Sequence, residues 1–224
     1  MKKKLIIVGG SKGGVGKSIV STAVIDLLRQ RGEKLLVIDS DTSNPDVFKS
    51  HHKTLECLTL DLDRKDGWMA LLNAAYNTDA TVVINSAARN NQAVDNFGSL
   101  LMSALSELDR ALTTLWVINR QRDSLLLLRQ YRQTIKGAMH VVRNLHAGGP
   151  TQFELFNGSK LQAEIEAEGG HVIDFPDLAD RVADAMTNER LAIAEASASL
   201  SFGERIELKR WRSEAADALS AVLY

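Results

Sequence analysis

Short apolar runs alternate along this chain with longer stretches in which apolar residues recur every three or four positions. The runs Lys4–Val8, Lys34–Ile38, Thr81–Ile84, Leu115–Ile118, His140–Leu145 and His171–Ile173 predict strands, and Leu58–Leu60 predicts a further extended piece. Helical periodicity covers Lys17–Arg31, Asp66–Tyr76, Asp95–Leu108, Ser124–Thr134, Phe153–Glu168 and Asp177–Met186. Such alternation is the pattern of a parallel sheet with crossover helices. In the first four strands the apolar residues are consecutive, which fits strands covered on both faces. The expected fold is α/β: a doubly wound, mostly parallel sheet with helices on both faces.

From Asn188 to Tyr224 the pattern is helical throughout and predicts two helices, separated near Ser201-Phe202-Gly203, packed on the rest. With 224 residues, three prolines and no linker-like tract, the chain predicts one domain over residues 1–224. Lys+Arg 27 against Asp+Glu 28 leaves a net charge of -1, which argues against a dedicated polyanion binder but not against a local basic patch. Cys57 is the one cysteine, so a disulfide framework, a four-Cys zinc site and a cysteine-held iron–sulfur cluster within one chain are excluded. The start Met1-Lys2-Lys3-Lys4 leads into an apolar run too short for a signal peptide, broken by Gly9-Gly10-Ser11-Lys12. No later stretch approaches the roughly 18 apolar residues that cross a bilayer. The expected location is the cytoplasm, with nucleoid association if DNA is bound.

The chemistry is concentrated in Gly9-Gly10-Ser11-Lys12-Gly13-Gly14-Val15-Gly16-Lys17-Ser18, which follows a predicted strand and opens a predicted helix. That context suits a phosphate-binding loop. Glycines let successive backbone N–H groups turn inward around phosphates, and the following helix adds its dipole. Lys17 is placed to reach the β- and γ-phosphates, and the Ser18 hydroxyl to hold Mg²⁺. The expected nucleotide contacts run over Lys12, Gly13, Gly14, Val15, Gly16, Lys17, Ser18 and Ile19.

The second lysine, Lys12, just before Gly13-Gly14, makes this loop resemble the deviant phosphate loop of the ParA/MinD family of ATPases. The resemblance implies ATP and Mg²⁺ as cofactors and a homodimer formed on ATP binding. It places Lys12 across the dimer on the partner's phosphates, a cation delivered only when two subunits meet. It continues at Leu35-Leu36-Val37-Ile38-Asp39-Ser40-Asp41, which matches the family's Asp-x-Asp. By that match Asp39 lies near Mg²⁺ and its waters, and Asp41 orients the attacking water. Thr42 stands where the family usually has proline, and Pro45 follows three residues later.

At Thr81-Val82-Val83-Ile84-Asn85-Ser86 the chain departs from the family, which carries an aspartate where Asn85 stands. A neutral amide can hydrogen-bond a magnesium-held water but adds no negative charge. Nucleotide binding is expected to survive and hydrolysis to be slow. Asn119, ending the strand before it, matches an asparagine that reads the adenine edge in related proteins; a turn residue is the other reading. Phe175-Pro176-Asp177 resembles the loop that closes over the base, which puts Pro176 there.

Other signals point less far. His51-His52 and Cys57 have no further ligands at metal spacing and read as a polar loop. Lys209-Arg210-Trp211-Arg212 could meet DNA phosphates, as basic surfaces do in ParA-like proteins. Leu208, Trp211, Ala215, Leu219 and Val222 nevertheless fall at helical spacing, as a packing face would. This helix lacks the apolar bulk of a MinD-type membrane tail. The single cysteine also excludes the nitrogenase iron protein of the same family. Together with Ser18, the divergence at Asp41-Thr42-Ser43-Asn44-Pro45 resembles the plasmid stability and conjugation branch (StbB- or TraL-like). The expected function is an ATP-dependent dimer switch in plasmid partition, positioning or transfer, acting on DNA directly or through a DNA-binding adaptor. The alternative is a nucleotide-binding interaction module with little or no hydrolysis.

Overall fold

A computed structural model describes residues 3–11, 13–88 and 91–224, Asn91 by its backbone only. Their strands are β1 (Lys3–Gly10), β2 (Leu35–Asp39), β3 (Glu56–Thr59), β4 (Thr81–Asn85), β5 (Arg110–Ile118), β6 (Ala138–Asn144) and β7 (Val172–Phe175). The helices are α1 (Lys17–Gln30), α2 (Asp46–His51), α3 (Lys65–Tyr76), α4 (Asn91–Leu108), α5 (Arg122–Thr134), α6 (Lys160–Ala167), α7 (Asp180–Asn188), α8 (Ile193–Ser199) and α9 (Phe202–Leu223). The strands form one sheet in the order β3-β2-β4-β1-β5-β6-β7, and every pairing is parallel.

The consecutive apolar runs divide by strand alternation between two cores. Ile6, Val8, Val37, Val83, Val117 and Val142 face the layer of α1, α7, α8 and α9. Leu5, Ile7, Leu36, Ile38, Val82, Ile84 and Val141 face the layer of α3, α4, α5 and α6. Neither layer is dispensable, because each strand presents apolar surface on both sides.

Local chemistry shifts several predicted boundaries. The stretch read as one helix over Phe153–Glu168 contains only α6, preceded by a 3-10 turn at Pro150–Gln152. Gly158 takes a left-handed φ of 70°, and Ser159 accepts the Gln162 N–H at 3.2 Å to start the helix afresh. The helix predicted from Asp177 begins at Asp180, and the break near Ser201-Phe202-Gly203 falls at Leu200-Ser201. α2 is unpredicted; it is six residues long and starts after Pro45.

The C-terminal helix α9 is packed on the first layer. Trp211 is fully buried, donates from Nε1 to the Pro176 carbonyl at 2.9 Å, and meets Phe175 edge-on. Arg212 grips Asp26 of α1 through two bonds of 2.6 and 2.8 Å. At the end of the chain the Tyr224 ring lies under Lys4 and Arg31, and its hydroxyl donates to Glu33 at 2.6 Å. At the N-terminal end of the strands, opposite the phosphate loop, buried Arg110 donates to the carbonyls of Ala75, Thr78, Ala80 and Lys4.

His140 of β6 gives the fold a pH dependence. Its Nδ1 accepts the His171 N–H at 3.1 Å, and burial, with His171 stacked alongside, lowers its pKa from 6.5 to about 4. The unfolded chain therefore takes up this proton at higher pH than the folded one. Its stabilising contribution is complete above pH 6.5 and is lost as pH falls toward 4. His140→Asn keeps an acceptor without the titration, so its melting temperature should depend less on pH across that interval than the native protein's.

Candidate functional site

The sheet order brings the C-terminal ends of β1, β2 and β4 together beneath the N-terminus of α1. Ligands of open parallel sheets bind beyond such carboxyl ends. The loop leaves β1 at Gly10 and enters α1 at Lys17 through two glycines with positive φ, Gly14 at 78° and Gly16 at 102°. At Gly16 the requirement is double, since an added Cβ would lie 2.3 Å from Asn144 Nδ2. Lys12 lies outside the described residues.

Lys17 is 8% exposed, and burial pulls its pKa from 10.5 down to about 8, with Asp41 pulling the other way. An ammonium held so far out of water gains much from an incoming polyphosphate. Ser18 is exposed at the first turn of α1, and Ile19 beside it is half-buried.

Strand register sets the acidic side of the site. Asp39 at the end of β2 pairs directly with Asn85 at the end of β4. Asn85 Nδ2 donates to Asp39 Oδ1 at 2.9 Å, and Asn85 Oδ1 accepts from Ser21 Oγ of α1 at 2.9 Å. Asp39 is fully buried and also accepts the N–H groups of Asp41 and Phe48. Burial raises its pKa, and the Asn85 amide and these backbone donors offset part of the rise. Asp41 is only half-buried, and its carboxylate turns back on its own loop to accept from Ser43 Oγ and the Asn44 N–H.

A cavity of about 150 Å³ opens beside the loop, lined by Gly14, Gly16, Ile19, Asn144, Pro176 and Trp211 among others. Asn144 donates to the Val15 carbonyl at 2.9 Å, which fixes it against the loop. Pro176, expected to close over a base, is among the residues that line this cavity. Asn119 does not line this cavity. Its Oδ1 accepts the Gln121 N–H at 3.0 Å and Ser124 Oγ at 2.8 Å, and Ser124 in turn meets Ser11 of the loop. The contacts of Asn119 are those of a turn residue starting α5. The sequence did not single out Asn144 or Ser21, which the structure sets against the loop and against Asn85; the one available signal was that Asn144 stands at a strand end.

A family model, the CobQ/CobB/MinD/ParA nucleotide binding domain, matches residues 6–148. The chain belongs to this family. Protein MobD of Acidithiobacillus ferrooxidans is 51% identical over 226 residues, covering 100% of both chains. The MinD cell division protein of Aquifex aeolicus shares the fold with a TM-score of 0.56 at 15% identity, over 97% of each chain. So does apo McdA of Cyanthece, with a TM-score of 0.54 at 15% identity over 97% of this chain and 99% of that one.

For a nucleotide-binding domain of this family the oxygen donors near the loop suit a hard divalent cation. The Ser18 hydroxyl and the Asp39 carboxylate are oxygen ligands of the kind Mg²⁺ takes alongside phosphate and water. Among the described residues no cluster of three or more His, Cys, Asp or Glu could hold a metal unaided. His51 is buried, its Nδ1 at 2.9 Å from the Val47 carbonyl, and His52 stacks on Phe48; both serve α2. Burial pushes the Cys57 thiol up to about 12, so it is unreactive.

The basic cluster of α9 is largely engaged within the chain. Arg210 pairs with Glu207 and Glu214, Arg212 with Asp26, and Trp211 is core. No helix among the described residues is long and apolar enough to cross a membrane.

Proposed function

We infer that this nucleotide-binding domain is an ATP-dependent dimer switch that hydrolyses ATP slowly and serves plasmid partition, positioning or conjugative transfer. The observation that carries the reading is buried Lys17 at the end of a glycine loop, within electrostatic reach of Asp41, with the Asp39–Asn85 pair at the ends of the neighbouring strands. Lys17 takes the β- and γ-phosphates, Ser18 takes Mg²⁺, and Asp39 takes the magnesium-held waters. Gly13, Gly14, Val15 and Gly16 supply loop N–H groups, and Asn144 with Pro176 takes the base in place of Asn119. Bound Mg²⁺ supplies charge neutralisation on the phosphates.

Asp41 swings from its own loop to orient the attacking water, and Lys12 reaches the partner's phosphates. The cargo is plasmid DNA, met directly or through a DNA-binding adaptor. Full-length similarity to a protein named MobD stands with the plasmid-borne branch that Asp41-Thr42-Ser43-Asn44-Pro45 resembles. The neutral amide of Asn85 favours a second reading, a nucleotide-binding interaction module with no turnover. Phosphate release by purified protein, with and without DNA, separates the two.

Sedimentation with ADP, ATP and a non-hydrolysable analogue tests the switch. A dimer with ATP and the analogue but not with ADP is expected, and one unchanging species in all three overturns the reading. Asp41→Ala should bind ATP and accumulate as the dimer, since the water loses its orienting carboxylate; native turnover in that variant removes the role. Lys12→Ala should bind ATP as a monomer and fail to dimerise or turn over. Normal dimerisation and hydrolysis would make Lys12 a surface charge.

A further inference from the structure

Two adjoining depressions lie along α5, on the layer opposite α9, and meet at Arg129. The one nearer the start of the helix, about 240 Å³, has leucines at its rim: Leu126 is 49% exposed and Leu155 56%. The other, about 390 Å³, is walled by cations of α5 and α6 and the turn after α5. Together the two are lined by five cations and one carboxylate, Glu164, on a chain whose net charge is -1.

That carboxylate does not neutralise the surface. Glu164 and neighbouring Glu168 both hold Arg132, at 3.2 and 2.7 Å. Lys160 stands 3.9 Å from Glu164 with its side chain 84% exposed, and Lys136 donates to the Arg132 carbonyl. Among the described residues, neither Arg122 nor Arg129 makes an ion pair. Helical rise puts about 18 Å between Arg122 and Thr134 at the two ends of α5, the length of roughly three turns of a bound helix, with Lys136 just beyond.

We propose that this α5–α6 face is a docking groove for an acidic, leucine-bearing segment of a partner protein. Its apolar side chains enter between Leu126 and Leu155, and its carboxylates meet Arg122, Arg129, Lys136 and Lys160. The cations alone would suit a nucleic-acid backbone equally well. The exposed leucines decide between the two, because they offer phosphate and base edges no hydrogen bond and offer an amphipathic helix a place to bury its apolar stripe. The proposal stands whether or not the chain hydrolyses ATP.

Fluorescence anisotropy with the full chain tests it. The probe is a labelled alanine-based helical peptide of about 15 residues, leucines at i, i+4 and i+7 and glutamates beside them. The native protein should bind it, and Arg129→Glu with Lys136→Glu should weaken binding about ten-fold or more. Exchanging the peptide's glutamates for lysines should reverse that preference. Leu126→Ser with Leu155→Ser should also weaken binding, and all four positions are exposed, so the variants should fold. The proposal is overturned if the native protein does not bind the peptide, or if neither pair of substitutions changes binding. It is equally overturned if random duplex DNA binds the face, is lost on charge reversal and is indifferent to the leucine changes.

Discussion

A Lys17→Ala chain is expected to fold normally and to lose ATP affinity by roughly two to four orders of magnitude. Lys17 stands at the first position of α1, directly after left-handed Gly16, so the loop aims its ammonium at whatever the loop encloses. Two phosphates each lose a charge-assisted hydrogen bond worth about 1.5–3 kcal/mol, and every 1.4 kcal/mol is about ten-fold in affinity. Stability should change little, because the native protein already bears the cost of desolvating this ammonium, as its pKa near 8 records. Calorimetry gives the affinity and thermal melting the stability. Unchanged affinity would mean that the loop is a glycine-rich turn with no phosphate role.

The sheet and the loop were legible because their signals are local. Consecutive apolar residues in Leu5–Val8 and Leu35–Ile38 say that both faces are covered, and the cores found on the two sides are the reason. The loop's glycines are required by its own turn and its close neighbour. What escaped depends on contacts between distant segments. Asn144 ends β6 and Asn119 directly follows β5, and nothing in their flanking residues ranks one above the other. Asn119 is captured by its own downstream helix through Ser124, whereas Asn144 reaches across to Val15, 129 positions away. α2 escaped because six residues carry too little periodicity; its Val47 is apolar and buried, but its His51 is polar and equally buried. The tail's Lys209-Arg210-Trp211-Arg212 has the composition of a nucleic-acid contact. Only tertiary structure reveals Asp26 waiting for Arg212 and Pro176 for the Trp211 indole.

Asn85→Asp is expected to have opposite effects without and with magnesium. In the native protein the amide donates to Asp39 Oδ1, so one fully buried carboxylate has a neutral partner. Exchanging that amide for a carboxylate sets two acceptors at the same 2.9 Å, with like charges in a site that already disfavours ionisation. Lost hydrogen bonding and repulsion should cost about 2–4 kcal/mol in metal-free buffer near neutral pH. In the proposed site Mg²⁺ with ATP brings positive charge to the same oxygens, so the variant should recover stability there, show a steeper magnesium dependence and turn over faster than the native chain. Swapping the pair, Asp39→Asn with Asn85→Asp, leaves one carboxylate and one amide and should restore metal-free stability. A perturbation unrelated to charge would not be repaired that way. Melting curves with and without magnesium, and a magnesium titration of phosphate release, read out both halves. If Asn85→Asp moves neither the melting temperature nor the magnesium midpoint, residue 85 is a strand end, and the argument from it to slow turnover falls.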